Sequence, residues 1–167
     1  MSTNKFIMLT IVAYFGVYGL VLNCINAEEI TVDQLTGYWY TVAIISPLLS
    51  KVSLRCDRRN ITRGTDDDTF NDVHTVITDS LHTYNGVGKI KDSELHITYP
   101  AFGPGYVDIQ CIKSYNNGDE FILHKAKPKQ SQLRSRKPTA SDEVKMIFEK
   151  EAADANATVK YIDQDNC

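Results

Sequence analysis

The sequence predicts an all-β fold, an eight-stranded antiparallel up-and-down barrel with one C-terminal α-helix packed outside. Three observations carry this: short alternating apolar runs from residue 37 onward, one amphipathic helical stretch after residue 140, and a short terminal strand. The strand spacing alone fits an antiparallel sandwich or a closed barrel. The single helix and the strand after it point to a barrel with a helix on its outer wall. The 167 residues suit one domain. With 18 Lys+Arg against 21 Asp+Glu, the net charge of -3 gives no electrostatic reason to expect a nucleic-acid partner. Composition excludes a multidomain enzyme, a collagenous chain and a polytopic membrane protein.

The strands are read in order. Gly37–Ser46 is rich in Tyr, Thr, Val and Ile, and Ser53–Thr62 and Asn71–Thr78 follow. His82–Ile90 holds Asn85-Gly86, and Glu94–Tyr99 alternates as Leu95, Ile97, Tyr99. A turn at 101–105 leads into Tyr106–Ser114, with Val107, Ile109 and Cys111 in phase. Asn116-Asn117-Gly118-Asp119 marks a hairpin into Glu120–Lys125, and Ser131–Lys137 is a final polar strand. Val144, Ile147, Phe148, Ala152 and Ala155 form one apolar helical stripe, with Thr139 or Ser141 as cap and Asp142 and Glu143 in the first turn. Thr158–Asp163 returns as a strand. Asp66-Asp67-Asp68 lacks the spacing of a calcium loop and reads as a hairpin tip.

The first residues read as an address. Lys5 precedes an apolar run from Phe6 to about Leu22, and no further charge occurs before Glu28. That is the pattern of a secretory signal peptide. An N-terminal anchor is the other reading, and the acidic, polar residues after the run count against it. Small residues allow cleavage after Gly19, giving a signal over 1–19 and a domain over 20–167, or after Ala27. The cysteines are Cys24, Cys56, Cys111 and Cys167, so the earlier cut leaves an even four and the later cut an odd three. Parity favours Gly19. The sequons Asn60-Ile61-Thr62 and Asn156-Ala157-Thr158 are glycosylation candidates usable only on the secretory route.

Three pieces of the chain resemble the lipocalin family, most nearly its apolipoprotein D and insect bilin-binding branch. The stretch 35–43, Leu-Thr-Gly-Tyr-Trp-Tyr-Thr-Val-Ala, matches the Gly-x-Trp motif that opens the first strand. The stretch 133–138 followed by Ser141 to Val144 resembles the last barrel strand, whose Arg precedes the external helix. The tail 163–167 resembles the family's C-terminal cysteine segment. The resemblance implies that Trp39 plugs the narrow end with the guanidinium of Arg136 on its face, a contact worth about 1–2 kcal/mol when partly desolvated. It also implies a Cys56–Cys167 bridge and, with it, Cys24–Cys111. Cys111 departs from the family pattern by sitting on the sixth strand rather than one strand later. The family's Thr-Asp-Tyr segment is reduced here to Lys113-Ser114-Tyr115.

Such a barrel is expected to be a secreted, extracellular carrier of a small hydrophobic or amphipathic ligand of the fatty acid, retinoid, pheromone or tetrapyrrole class. Alternation from Trp39 puts Thr41, Ala43 and Ile45 on the inward face, with Leu95, Ile97 and Tyr99 on the facing strand. Counting back from Arg136 by family analogy turns Gln130, Gln132 and Arg134 inward. An inward Arg134 needs an acid such as Asp108, or an anionic ligand group. The competing reading leaves Arg134 at the wet mouth or outside. Lys125, Lys127, Lys129, Arg134, Arg136 and Lys137 form either a patch for an anionic surface or a solvated loop. The alternative function is a surface-acting inhibitor or lipid-surface binder with a filled pocket. A thiol isomerase using Cys56 is a further alternative. No enzyme motif, cofactor or metal is expected, because His74, His82, His96 and His124 are scattered.

Overall fold

The alternating runs become strands that follow one another around a closed ring. The computed structural model describes residues 30–46, 54–125, 129–164 and 167. A one-turn helix α1 (Val32–Leu35) leads into β1 (Gly37–Ile45), β2 (Cys56–Arg63), β3 (Thr69–Ile77), β4 (Leu81–Lys91), β5 (Glu94–Thr98), β6 (Val107–Tyr115), β7 (Glu120–Lys125) and β8 (Gln130–Ser135). Helix α2 (Asp142–Asp154) and β9 (Val159–Tyr161) complete the chain. From β1 to β8 each strand pairs antiparallel with the next, and β1 closes the ring by pairing with both β8 and β2. β2 reaches only Gly37–Tyr40; above that point β9 takes the free edge of β1, at Ala43–Ile45. The Cys56–Cys167 disulfide, with Cα atoms 5.3 Å apart, ties the tail beside this seam.

Turn chemistry sets the hairpins. Asn116, Asn117 and Gly118 take φ of 51°, 57° and 89°, the left-handed region that Asn and Gly tolerate. The dipeptide Asn85-Gly86 forms no turn, and β4 runs straight through it. Its glycine serves packing instead: a Cβ there would lie 2.7 Å from the Tyr99 ring.

Two apolar clusters hold the fold. One fills the closed end of the barrel with Trp39, Ile61, Phe70, Leu95, Ile112 and Phe121, and Val32 and Leu35 of α1 lie beneath it. The other lies on the outer wall, where Val144 and Phe148 of α2 pack on Val42, Ala43, Ile122 and Leu133. Ser141 is the N-cap of α2, accepting from the Val144 amide. The apolar stripe stops at Ala152, because Ala155 is the exposed C-cap.

A break in β1 overturns one expectation. Its register against β8 shifts between Thr41, opposite Arg134, and Ala43, opposite Leu133. The extra residue reverses the side-chain phase. Thr41 therefore faces inward with Trp39, whereas Ala43 and Ile45 turn outward into the α2 cluster. The bulge gives the helix its seat and removes both residues from the interior wall.

Candidate functional site

The interior divides into three levels, and the lowest is the plug. Trp39 stacks on Phe121 with centroids 4.3 Å apart, and its Nε1 donates to the Leu35 carbonyl at 2.7 Å. Arg136 lies over the indole with Cζ 3.8 Å from the ring centroid. Its Nη1 and Nη2 donate to the carbonyls of Thr36 and Gln34, each at 2.7 Å. The glycine of Gly-x-Trp is required twice over. Gly37 has φ 115°, and a Cβ on it would sit 2.6 Å from Arg136 Nη1.

Above the plug lies a buried charged layer. Arg59 reaches from β2 across the interior, with Nη1 donating to Asp72 Oδ2 and to the Tyr99 hydroxyl, both at 2.5 Å. Tyr99 in turn donates to Asp72. Thr41 donates to Asp57 Oδ1 at 2.9 Å, and His74 Nε2 lies 3.0 Å from the same oxygen. Lys125 and Gln110 both donate to Asp108 Oδ2 at 2.6 Å. Arg134 is inside the barrel, only 2% exposed, and donates through Nε and Nη2 to Gln132 Oε1. This overturns the reading that put Arg134 at the mouth or outside. Asp108, its expected partner, is taken by Lys125 instead.

The electrostatics follow from burial and pairing. Burial pushes the Asp57 carboxyl up, but His74, Arg59 and Arg134 outweigh it and hold the group below the usual carboxylate range. Burial also pushes Asp108 up, and Lys125 reverses that. Burial pulls Lys125 down to about 8 and Arg134 down to about 10. His74 is lowered by burial and by Arg59, so it is neutral near pH 7 and its Nε2–H donates to Asp57. Arg59, Lys125 and Arg134 then face Asp57, Asp72 and Asp108, and the layer carries no net charge. Arg59 Nε, Asp72 Oδ1 and Gln110 Oε1 are buried without a hydrogen-bond partner among the described residues.

The open end carries an aromatic collar. The segment after β5 folds back over the mouth and brings Phe102 to 4.8 Å from Tyr84, 5.6 Å from Tyr99 and 5.1 Å from Tyr106, centroid to centroid. His82 stacks parallel to Tyr84, and His74 lies between Tyr84 and Tyr99. Phe102 and Tyr106 remain 47% and 38% exposed.

The expected wall residues fall at different depths. Thr41, Leu95, Ile97 and Tyr99 face inward, each no more than 2% exposed. Leu95 and Ile97 both belong to the apolar cluster that contains Trp39, and stand opposite Gln110 and Asp108 of β6. The basic patch does not form: Lys125 and Arg134 point into the barrel and Arg136 covers Trp39, leaving Lys129 and Lys137 exposed, while Lys127 lies outside the described residues. Cys56 is bonded to Cys167, which removes the thiolate an isomerase would need. Cys111 is disulfide-bonded as well; Cys24, its expected partner, and the proposed signal peptide lie outside the described residues. Among the described residues no cluster of His, Cys, Asp or Glu could hold a metal, and no helix is long and apolar enough to cross a membrane.

The charged layer was missed from the sequence. A signal existed, because Asp57 and Arg59 share the phase of Ile61, and Asp72 shares that of Phe70. Two large apolar residues on adjacent strands fix which phase faces inward.

No protein-family model matches the sequence, and no curated protein sequence does either. Solved structures do match the fold. Lobster apocrustacyanin A1 aligns with a TM-score of 0.60 at 18% identity, covering 79% of this chain and 78% of its own. Apocrustacyanin C2 aligns at 0.59 and 18% identity, over 78% of each chain. The siderocalin Ex-FABP, described as functioning through dual ligand specificities, aligns at 0.58 and 15% identity, over 78% of this chain and 91% of its own. The barrel has the lipocalin fold.

Proposed function

We propose that this chain is a secreted, non-enzymatic lipocalin of the bilin-binding and apolipoprotein D type that holds a small amphipathic molecule at the open end of its barrel. The observation that carries the reading is the half-exposed collar of Tyr84, Phe102 and Tyr106 standing over a buried layer with unpartnered polar atoms. The apolar body would lie among the rings, and the head group would reach Tyr99 and the charged layer. Among the fatty acid, retinoid, pheromone and tetrapyrrole classes, the charge balance favours an uncharged head. Arg59, Lys125 and Arg134 already face three carboxylates, so an added carboxylate would be buried uncompensated. Arg134, held by Gln132, serves as part of the layer and not as a carboxylate clamp. Leu95 and Ile97 pack into the apolar cluster of the barrel, Thr41 belongs to the charged layer through Asp57, and no cofactor or nucleic acid is involved. The siderocalin neighbour is described as functioning through dual ligand specificities, which supports a ligand-holding role for a barrel of this fold.

The full burial of Thr41, Ile97 and Leu123 favours one other reading, a filled barrel that acts through its outer surface. Native mass spectrometry of the secreted protein separates the two. Carriage predicts a co-purifying small molecule that Phe102→Ala releases. Bare protein, with no retention of any compound from a lipid extract, would overturn carriage.

A further inference from the structure

The sequon at Asn60 lies inside a groove on the outer wall. Asn60 sits mid-strand in β2 facing outward, with Tyr38 directly opposite on β1 and Val73 opposite on β3. These residues, with Tyr40, Arg58 and Thr75, line a hollow of about 400 Å³. That lies in the range of roughly 300–1,000 Å³ typical of small-molecule sites. Tyr38 is 62% exposed, an aromatic face set beside the acceptor amide. At one end the Arg58 guanidinium is fixed, with Nη1 donating to the Cys167 carbonyl at 2.8 Å. The other sequon is different: Asn156 stands on an exposed turn after α2, at φ 51°.

We propose that this groove cradles the first sugar of an N-linked glycan carried by Asn60, with the rings of Tyr38 and Tyr40 as its walls. A sugar ring offers a C–H face to an aromatic plane and hydroxyls to a guanidinium, and the groove supplies both beside the attachment atom. The occupant is thus covalently delivered, which distinguishes this hollow from a general docking surface. In the transfer, the Asn60 amide nitrogen displaces polyprenyl diphosphate from C1 of a polyprenyl-diphosphate oligosaccharide, the donor of the secretory route. The N–C bond forms, the C–O bond breaks with its electron pair leaving on the diphosphate, and the nitrogen loses a proton. Transfer takes place on the unfolded chain, and β2 can then fold because Asn60 faces away from the core. The inference rests on the secretory part of the proposed function and is independent of ligand carriage.

The test uses the full chain secreted from eukaryotic cells. A glycan-releasing amidase is applied to native and to unfolded protein, and occupancy at each sequon is read by peptide mass. Asn60 is expected to be occupied and released at least about tenfold more slowly from native protein than from unfolded protein or from native Tyr38→Ala. Asn156 is expected to show no such protection. Asn60 bare while Asn156 carries sugar overturns the cradle and leaves secretion standing. Equal release of the Asn60 glycan from native parent and Tyr38→Ala also overturns it. Both sequons bare on protein recovered from the medium overturn the cradle and leave secretion standing, whereas a chain retained inside the cells overturns the secretory reading.

Discussion

Replacing Asp72 with Ala tests whether the middle of the barrel is dry. Arg59 and Asp72 are 1% and 0% exposed, and they meet as a diagonal pair on the inward face of the adjacent strands β2 and β3. Each charge was taken out of water on folding, and removing one partner leaves the other buried and unmatched. Such a loss costs about 3–5 kcal/mol. Asp57 also lies close enough to favour the Arg59 charge, which places the expected value near the lower end, about 3 kcal/mol. With a urea slope of about 2 kcal/mol/M, the midpoint falls by about 1.5 M. Against a total stability of about 5–15 kcal/mol this is a large fraction.

The assay is equilibrium urea unfolding with the disulfides intact, followed by the fluorescence of Trp39, the single tryptophan. The double variant Arg59→Met with Asp72→Leu serves as the control, because it removes both charges and keeps the volume. It is expected within about 1 kcal/mol of the parent, or above it. A loss below about 1 kcal/mol for Asp72→Ala alone would refute the reasoning, since water must then reach the guanidinium. The barrel would hold a wet hollow at mid-depth, and the ligand space would extend below the collar.

The remaining predictions concern the plug, the acid limb and the N-terminus. Arg136→Ala removes a cation–π contact and two hydrogen bonds to carbonyls, so a loss of about 2–4 kcal/mol is expected, with a red-shifted Trp39 emission; unchanged emission would show that the guanidinium does not shield the ring. As pH falls, the unfolded chain binds protons before the folded one at His74 and His124, which burial lowers, so stability declines below about 6.5. Asp57 and Asp108 are held below the unfolded carboxylate value, so their contribution is present above about 4 and lost as pH falls through their folded values; unfolding free energies that stay flat from about pH 7 to 3 would contradict both assignments. N-terminal sequencing of the secreted protein should start at residue 20, and a non-reduced peptide map should join Cys24 to Cys111; a chain starting at residue 28 contradicts both.

The plug was legible because its parts lie in short motifs. Gly37 and Trp39 are two residues apart, and Arg136 is fixed by the helix that follows it. The helix stripe was legible for the same reason, since Val144, Ile147 and Phe148 report one face of one element. The bulge was not. Bulges are often marked by Gly or Pro, and the residue that shifts the register here, Val42, is a good strand former. Strict alternation then carried Ala43 and Ile45 to the wrong side, and only the contact with α2, distant in sequence, shows the reversal. Arg134 raised the same difficulty from the other direction. Its strand offers one large apolar residue, Leu133, and a single apolar position among polar ones does not distinguish a solvated strand from one that packs Leu133 outward on α2 and turns Arg134 toward the field of Asp57 and Asp72.

Those buried charges bear directly on what the barrel can hold. A cup lined only with apolar side chains accepts any ligand of the right length, because burial of apolar area is non-directional. A level that carries Arg59, Lys125 and Arg134 against Asp57, Asp72 and Asp108 discriminates instead by hydrogen bonding and net charge. The donor Arg59 Nε and the acceptors Asp72 Oδ1 and Gln110 Oε1 lie in the same layer, and a group that both accepts and donates, such as a hydroxyl, satisfies a pair of opposite kind. An anion satisfies only the donor and faces the acceptors unfavourably. Affinity would then come from the rings at the mouth and selectivity from the layer beneath them, so loss of Phe102 should weaken all ligands alike, whereas changes at Asp72 or Gln110 should alter which head group is preferred.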